Sequence, residues 1–439
     1  MPAVPSSASA TIAPARACAY TVLRRVFEQG AYADRALTAA AAELAPRDRG
    51  LAMRLAYGAV QRKGTLDHLI ERLAERPVVA LDPPLIAALR VGLYELLYLR
   101  GAPDYAVVAD AVELAKTGAR GGHGLVNAVL RRAAREGPDQ LLAALSDATA
   151  EQAAIKHAHP EWIARLWWDA LGADDACALM AANNEPIEVA LRANTLVNDA
   201  DHLAARLPVR THRDHQIPEA LVLEAPFDVH GSELWQAGAF HAQSRAAMHV
   251  ARTLEPEPGE RVLDLCAAPG GKSTHLAALM HGQGLVHAVE RNPRRAGSLV
   301  RTAQRLHATN VIVDVADAEH FSLAGRDQQM AAFDRVLVDP PCSGLGTLQA
   351  RADLRWRVSP QAIDEMVALQ SKILAAGAHA LRPGGVLVYS TCTISTNENE
   401  HLIADFLDSH TDFDLAGTTV TLPHRDHTAG FYIARLRKS

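Results

Sequence analysis

Two cysteines follow predicted strands in the last quarter of this 439-residue chain. Arg335–Asp339 (R-V-L-V-D) and Gly385–Ser390 (G-V-L-V-Y-S) are short apolar runs, which are typical of strands buried on both faces of a parallel sheet. Cys342 follows the first run and Cys392 follows the second. Open α/β sheets bind ligands beyond the carboxyl ends of their strands. We therefore expect the two thiols to meet at one rim, where one can act as a nucleophile and the other in acid–base chemistry.

A third strand of this sheet is predicted to lead into a cofactor loop. The stretch Arg261–Thr274 reads R-V-L-D-L-C-A-A-P-G-G-K-S-T, which indicates a buried strand, a Gly-rich turn and a helix with Ser273 as its N-cap. Such a turn can place backbone N–H groups near a small ligand. The predicted loop contacts are Cys266, Ala267, Ala268, Pro269, Gly270, Gly271 and Lys272.

Two acidic residues are predicted to complete this cofactor site. Glu290 ends the strand-like run Gly284–Val289, twenty residues after Gly270, where a carboxylate can accept hydrogen bonds from ribose hydroxyls. Asp317 follows the predicted strand Val311–Val315 and can accept a hydrogen bond from an adenine amino group. Both acids suit a ligand that contains adenosine.

The loop departs from two familiar nucleotide-binding patterns. A Walker loop needs glycine at position 266, where this chain has Cys266, and the dinucleotide pattern G-x-G-x-x-G is absent. S-adenosylmethionine, which has a carboxylate and an adenosine, fits the turn. Taken alone, however, the turn is equally compatible with a structural β–α corner.

Four motifs in order resemble the NOL/NOP/Sun family of RNA 5-methylcytosine methyltransferases. They are D-L-C-A-A-P-G-G-K-S (264–273), D-P-P-C-S-G (339–344), S-T-C (390–392) and N-E-N-E (397–400). The resemblance implies an S-adenosylmethionine-dependent enzyme that methylates carbon 5 of cytosine in RNA. It also implies an α/β fold, with a doubly wound, Rossmann-like class I methyltransferase sheet over residues 235–439.

The resemblance assigns roles that the residues alone leave exchangeable. It implies that Cys392 adds to carbon 6 of cytosine and that Cys342 assists release, whereas from the sequence alone the two roles could be reversed. Asp339 is expected to face the base or the methyl donor. Because an ordinary thiol has a pKa of ~8.5, the site should lower the pKa of the attacking cysteine.

Two further domains are predicted before the methyltransferase domain. Residues 15–140 show apolar residues at helical spacing and resemble the NusB-like antitermination-factor domain, an all-α RNA-binding module. Residues 147–234 show mixed α and β patterns, which indicate a small α+β RNA-recognition subdomain. Residues 1–14, rich in Ala, Ser and Pro, are predicted to be a disordered tail.

RNA is the expected partner, and the front domain makes 16S ribosomal RNA the expected substrate. Residues 15–136 hold 18 Lys and Arg against 13 Asp and Glu, an excess of 5 in a chain of formal net charge −6. Methylation of tRNA and a non-catalytic role in ribosome assembly remain as alternatives. The candidate RNA contacts are Arg16, Arg24, Arg25, Arg131, Arg132, Arg351, Arg355 and Arg357.

Composition excludes several other classes of protein. Five scattered cysteines without a C-x-x-C pair argue against a disulfide framework and a zinc site, and His157 with His159 lacks further ligands at metal-binding spacing. No apolar run reaches the ~18 residues of a membrane span. We therefore expect a cytoplasmic monomer that binds no metal, membrane or DNA.

Three details of the sequence need the structure to interpret them. Ser244 stands where the family usually has Asp, so the role of that Asp is in doubt here. Ser395 and Glu398 match a capping box for the helix after the S-T-C turn. Trp167 and Trp168 are more readily explained by core packing than by base stacking.

Overall fold

The computed structural model describes residues 12–99, 101–322 and 332–439. Most of the predicted disordered tail, residues 1–11, therefore lies outside the described residues. Contacts divide the chain into two compact units. The helical unit holds the chain up to Glu185 together with Leu348–Arg357, and the sheet unit holds Pro186–Thr347 and Val358–Ser439. The predicted domain limits at 140, 147 and 234 stay predictions.

The helical unit contains eleven α-helices among its described residues. They are α1 (Pro14–Gln29), α2 (Ala33–Ala40), α3 (Pro46–Gln61), α4 (Lys63–Ala74), α5 (Pro83–Tyr94), α6 (Asp104–Gly118), α7 (His123–Glu136), α8 (Pro138–Ala143), α9 (Ala150–Lys156), α10 (Glu161–Leu171) and α11 (Ala173–Ala182).

Local sequence explains where these helices begin and end. Proline stands in the first turn of α1, α3, α5 and α8, where its missing N–H costs no hydrogen bond. Gly30 ends α1 in the left-handed region, with φ +68°. One apolar cluster packs α1 to α7, and Trp167 of α10 is fully buried, which confirms core packing for this tryptophan. Trp168 is only partly buried.

The sheet unit begins with a small antiparallel sheet. Its strands are β1 (Ala190–Ala193), β2 (Thr211–Arg213), β3 (Ala220–Leu223) and β4 (Phe240–Ala242), in the order β2-β3-β1-β4. The helices α12 (Ala200–Arg206) and α13 (Glu233–Gln236) accompany it. The strands predicted at Val189–Asn194 and Ala220–Glu224 are thereby confirmed to within a residue or two.

A seven-stranded sheet forms the rest of the sheet unit. Its strands are β5 (Arg261–Leu265), β6 (Leu285–Val289), β7 (Val311–Asp314), β8 (Phe333–Val338), β9 (Leu381–Thr391), β10 (Phe413–Thr421) and β11 (Phe431–Lys438). The order is β10-β11-β9-β8-β5-β6-β7. Strands β5 to β9 run parallel, and β10 and β11 are antiparallel additions at one edge. The predicted doubly wound fold is confirmed.

Helices cover this sheet, and apolar clusters fill the space between. They are α14 (Arg245–Leu254), α15 (Gly271–Leu279), α16 (Pro293–Arg305), α17 (Pro360–Ala380), α18 (Glu400–Ser409) and α19 (Pro423–Asp426). One cluster includes residues of α17, α18, β8 and β9, and another includes residues of α14, α15, β9 and β11. Buried Val and Leu side chains on both faces explain why β5 and β8 read as continuous apolar runs.

Two predicted helix caps are wrong. Helix α15 is capped by Gly270 with φ +101°, and the Ser273 hydroxyl instead donates to Asp264. Helix α18 begins at Glu400 after Asn399, so Ser395 and Glu398 do not form a capping box. In the first case, the buried Asp264 carboxylate accepts the hydrogen bond from Ser273. In the second, the Glu398 carboxylate is itself buried, where unpaired polar groups are costly.

Candidate active site

The two rim cysteines meet, as the strand pattern predicts. Cys342 follows β8 and Cys392 follows β9, and these strands are parallel neighbours in the sheet. The two Sγ atoms lie 3.4 Å apart, close enough for an S–H···S hydrogen bond. Backbone contacts join the two turns as well, because Gly346 N–H donates to the carbonyl of Cys392 at 3.0 Å.

The Cys342 thiol is held in its protonated form. The hydrogen bond with Cys392, followed by burial, raises the pKa of Cys342 well above the ordinary thiol value. Nearby Glu398 and Asp339 act in the same direction because their negative charges oppose a second one. Cys342 therefore keeps its proton and can donate it toward Cys392.

Asp339 is held between two side chains from neighbouring segments. Lys272 Nζ lies 2.6 Å from Asp339 Oδ2, and the Ser390 hydroxyl donates to Oδ1 at 2.9 Å. Burial lowers the pKa of Lys272, but Asp339 and then Cys392 raise it above the ordinary value, so the ammonium stays charged. The sequence predicted Lys272 as a cofactor contact. In the structure its ammonium pairs with the Asp339 carboxylate, and the predicted cofactor contact stays a prediction.

A pocket lies at the carboxyl end of β6, with about 410 Å³ of empty space that includes its opening to solvent. Three predicted cofactor residues line it, namely Cys266, Glu290 and Asp317. Pro341, the neighbour of Cys342 in the chain, also lines the pocket, and Val289, Ala318, Leu369 and Ile373 supply apolar walls. The pocket thus offers carboxylates and an apolar slot next to the cysteine turn.

The remaining predicted loop residues continue the chain from Cys266, which lines the pocket, to the start of α15. Ala267 and Ala268 are nearly buried, and the Ala268–Pro269 bond is cis. Gly270 has φ +101°, and a Cβ there would lie 3.1 Å from Leu299 Cγ. Gly271 starts α15, so the helix N-terminus with its unpaired N–H groups follows the turn directly.

Two groups in the pocket region are unsuited to nucleophilic chemistry. Burial raises the pKa of Cys266 to about 12, which agrees with the packing role predicted for it. Burial also raises the pKa of Asp264 to about 7, and its partner is the Ser273 hydroxyl at 2.6 Å. Glu290 is buried, accepts from Asn292 N–H at 2.8 Å and lies 3.4 Å from Arg295.

Comparisons with known proteins agree with this architecture. The family description "16S rRNA methyltransferase RsmB/F" matches residues 251–437, the NusB family matches residues 13–135, and an RsmF/B-like ferredoxin-like domain matches residues 159–230. A Synechocystis protein named probable ribosomal RNA small subunit methyltransferase B is 35% identical, over 97% of this chain and 99% of its own. A Bacillus subtilis protein of the same name is 34% identical, over 90% and 92%.

The chain belongs to the ribosomal RNA small subunit methyltransferase B family. The crystal structure of PH0851 is similar to this chain, with a TM-score of 0.78 and 27% identity over 99% of this chain and 100% of that chain. The predicted NusB-like domain is confirmed, and the predicted small α+β subdomain is confirmed as part of the fold by its match to a ferredoxin-like domain.

S-adenosylmethionine is the cofactor of this family and fold, and the pocket fits it. Glu290 and Asp317 offer carboxylate acceptors for ribose hydroxyls and an adenine amino group, and the apolar walls suit a purine ring. When bound, this cofactor supplies an electrophilic methyl group.

In the part of the chain that the structure describes, no helix is long and apolar enough to cross a membrane.

The segment Leu191–Thr195 (L-R-A-N-T), on and just after β1, has a structural role that sequence reasoning missed. Arg192 is 2% exposed, and it donates to Gly271 O at 2.5 Å and Thr274 Oγ1 at 3.0 Å. Asn194 donates to the carbonyls of Gly238 and Leu306. Arg192 therefore ties the small sheet to the start of α15, beside the cofactor loop.

Several arginines predicted to contact RNA are occupied within the protein. Arg16 is buried and pairs with Glu95 and Asp110, each at 2.7 Å, so its prediction as an exposed contact is wrong. Arg355 is 0% exposed and donates to main-chain carbonyls, so its prediction is wrong for the same reason. Ion pairs also hold Arg24, Arg132 and Arg357, whereas Arg131 and Arg351 are exposed and Arg25 is half-buried.

The histidines considered for metal binding do not share a site. His159 Nδ1 contacts the carbonyl of His157, and burial lowers the pKa of His159 well below its ordinary value. The ligand atoms of His157, Asp147 and Cys177 lie within 4.8 Å of one another. Lys156 Nζ lies 2.7 Å from the Asp147 carboxylate and pairs with it.

Proposed function

We propose that this protein methylates carbon 5 of a cytosine in 16S ribosomal RNA through a covalent bond between Cys392 and the base. The observation that carries the proposal is the 3.4 Å approach of the Cys342 and Cys392 thiols beside a cofactor pocket. The names of its relatives support ribosomal RNA as the substrate. Two thiols at one rim support the choice of carbon 5.

Cytosine needs covalent activation because its carbon 5 is a poor nucleophile. The thiolate of Cys392 adds to carbon 6, and the electron pair released from the ring double bond lets carbon 5 take the methyl group. The carbon 5 proton then leaves to water, the double bond forms again, and the bond from carbon 6 to sulfur breaks while Cys342 donates its proton to the departing sulfur of Cys392. The base must leave its stack to reach the rim.

Three side chains are assigned roles around this chemistry. The charged ammonium of Lys272 favours a thiolate on Cys392, since the two groups attract each other electrostatically. Asp339, oriented by Lys272 and Ser390, faces the base or the methyl donor. Cys342, which keeps its proton, assists the release of Cys392 from the methylated base.

The cofactor-binding residues follow from the pocket and the loop. Glu290 receives the ribose hydroxyls, Asp317 receives the adenine amino group, and Cys266 contributes its backbone and packing. The turn Ala267–Gly271 lies against the methionine end of the cofactor. Lys272 contributes by orienting Asp339 through their ion pair. We further propose that the helical domain and the ferredoxin-like subdomain hold the RNA, with Arg131 and Arg351 among their contacts, in a cytoplasmic monomer.

Two other functions remain to be separated from this one. The same chemistry on tRNA fits the rim equally well, whereas the NusB-like domain favours ribosomal RNA. A non-catalytic assembly factor would not need the contact between Cys342 and Cys392 or the ion pair between Lys272 and Asp339.

The test is incubation with 16S ribosomal RNA, or with tRNA, in the presence of tritiated S-adenosylmethionine. We expect label in 16S ribosomal RNA, located by bisulfite sequencing at a cytosine that becomes 5-methylcytosine. Label on another atom of the base would contradict the proposed chemistry, and label in tRNA alone would contradict the proposed substrate.

A further inference from the structure

Glu398 is a buried acid that the proposed chemistry does not use. Its side chain is 0% exposed, and it lies between β9 and the start of α18. Since α18 begins at Glu400, Glu398 does not cap that helix. A carboxylate withdrawn from water is destabilising unless hydrogen bonds replace the lost hydration. Its partners therefore indicate what it does.

The carboxylate of Glu398 accepts hydrogen bonds from the turn that carries Cys342. Its Oε1 accepts from the backbone N–H of Ser343 at 2.8 Å and from Gln370 Nε2 at 3.0 Å. Its Oε2 accepts from the Ser343 hydroxyl at 2.5 Å. Gln370 also donates to the carbonyl of Pro341 at 2.9 Å. Residues on both sides of Cys342 are thus fixed by one acid and its amide partner.

The same network reaches the turn that carries Cys392. The hydroxyls of Ser343 and Thr393 lie 2.6 Å apart, and Thr393 directly follows Cys392. Asn399 donates to the carbonyl of Thr393 at 3.1 Å and accepts from Thr391 at 2.6 Å. The main-chain carbonyl of Glu398 accepts from the Tyr389 hydroxyl at 2.8 Å, which anchors the acid to β9.

We propose that Glu398 is a positioning residue that holds the Cys342 thiol against Cys392. A carboxylate suits this task because it only accepts hydrogen bonds, and all three of the donors above point at it. Removing it leaves the Ser343 N–H without an acceptor inside the protein and leaves the Gln370 amide with only the carbonyl of Pro341. The turn after β8 can then shift, and the 3.4 Å approach of the two sulfur atoms is lost.

The consequence for turnover rests on the proposed function, in which Cys342 assists release. A displacement of about 1 Å at a reacting group can cost on the order of 100-fold in rate. Loss of Glu398 should therefore slow release of the methylated RNA more than it weakens cofactor binding. Glu398 acts through Cys342 and touches neither the cofactor pocket residues nor Asp339 in the contacts described above.

The first experiment measures, in the absence of RNA, how fast Cys342 and Cys392 form a disulfide. Diamide takes up the two electrons and two protons that Cys342 and Cys392 lose when they form a disulfide, and peptide mapping follows this product. We expect Glu398→Ala to slow its formation at least ~10-fold, with cofactor affinity within about twofold of the parent. Glu400→Ala is the matched control, because Glu400 is exposed in the same N-E-N-E motif.

Two milder variants keep the test decisive if Glu398→Ala does not fold. Glu398→Gln keeps one acceptor oxygen for the Ser343 N–H, and Ser343→Ala removes only the hydroxyl bonds, so each should slow the disulfide to an intermediate degree. A folded Glu398 variant that forms the disulfide at the rate of Glu400→Ala overturns the proposal.

The second experiment measures the fraction of protein linked covalently to methylated RNA during turnover. We expect Glu398→Ala to raise this fraction several-fold over Glu400→Ala, an effect that general destabilisation would not produce. If the disulfide slows but the linked fraction stays the same, the positioning role stands and the release role of Cys342 is contradicted. If neither changes, the positioning role itself is contradicted.

Discussion

Buried charges serve different purposes in the helical unit and in the sheet unit. In the helical unit, Arg16 meets Glu95 and Asp110, and Arg355 meets main-chain carbonyls, so each buried cation is neutralised or satisfied where it lies. In the sheet unit, the partly buried pair of Asp339 and Lys272 lies near Cys392, and both Asp339 and Cys392 help to raise the pKa of Lys272. The buried arginines of the helical unit only hold its segments together. In the sheet unit, the Lys272 ammonium also interacts electrostatically with the Cys392 thiol.

This difference shows why residue type alone does not define a site. Arginines in the helical unit look like RNA contacts by composition, but the fold uses several of them internally. Cysteines in the sheet unit look like ordinary small apolar residues, but their place after adjacent parallel strands brings them together. Position relative to the strand ends is the more informative property.

The sharpest contrast between activity and stability is expected at Cys392. Cys392→Ala should lower kcat for RNA methylation by about 10³-fold or more, because the proposed nucleophile is lost and the raised pKa of Cys342 leaves that thiol a poor substitute. Its effect on the urea midpoint should be small. Cys266→Ala, measured in the same assays, should keep most of the activity. Substantial turnover by Cys392→Ala would remove the assigned nucleophile.

The reverse pattern is expected at Arg355. Arg355→Ala should destabilise the helical unit by about 3 kcal/mol, because several buried acceptors lose a charged donor at once. Urea unfolding followed by circular dichroism measures this effect. Arg351→Ala is the matched control, since that side chain is exposed and should change stability by less than about 0.5 kcal/mol. Equal effects at both positions would contradict the buried role of Arg355.

Acid sensitivity is expected from a buried pair in the sheet unit. His275 Nε2 lies 2.6 Å from Glu219, and burial lowers the pKa of His275 to about 4. The unfolded chain binds this proton below its ordinary pKa of about 6.5 and the folded chain does not. Stability should therefore fall by about 3 kcal/mol as the pH drops from 6.5 to 4.

A variant separates this pair from general acid effects. His275→Gln can still donate to Glu219 but cannot take up a proton, so its urea midpoint should fall less steeply over the same pH range. His202→Gln is the control, because His202 is an exposed side chain in the same unit. If His275→Gln and His202→Gln show the same slope, the buried histidine is not the acid-sensitive group.

The smallest effect is expected at Ser244, where the family usually has Asp. The Ser244 hydroxyl caps α14 by accepting from Ala247 N–H at 3.3 Å, and an Asp carboxylate can do the same. Ser244→Asp should therefore change stability by less than about 0.5 kcal/mol, and Ser244→Ala should cost about 1 kcal/mol. Thermal unfolding measures both. A large loss in Ser244→Asp would show that the cap is not interchangeable.

The sequence predicts those parts of the protein that depend on local pattern. Apolar runs located the parallel strands, and motif spacing located Cys342, Cys392 and the cofactor turn, because strand direction alone determines which side chains share a rim. Strand β10 was not predicted, since most of its residues are exposed and give no buried-strand pattern.

Long-range side-chain contacts were beyond sequence reasoning. Glu398 grips Ser343 across 55 positions of the chain, and Arg192 reaches Thr274 across 82. The cap predicted for Ser273 failed because Asp264, on the neighbouring strand, captures its hydroxyl. Such contacts depend on which segments become adjacent after folding, and no local spacing encodes them.

The central claim is that Cys392 bonds to cytosine and that Cys342 ends that bond. The most direct measurement uses a Cys342→Ala variant with 16S ribosomal RNA and S-adenosylmethionine, followed by denaturing gel electrophoresis and mass spectrometry of the linked peptide. We expect an RNA–protein adduct that survives denaturation and maps to Cys392. Free turnover without an adduct, or a link to any other residue, would contradict the account.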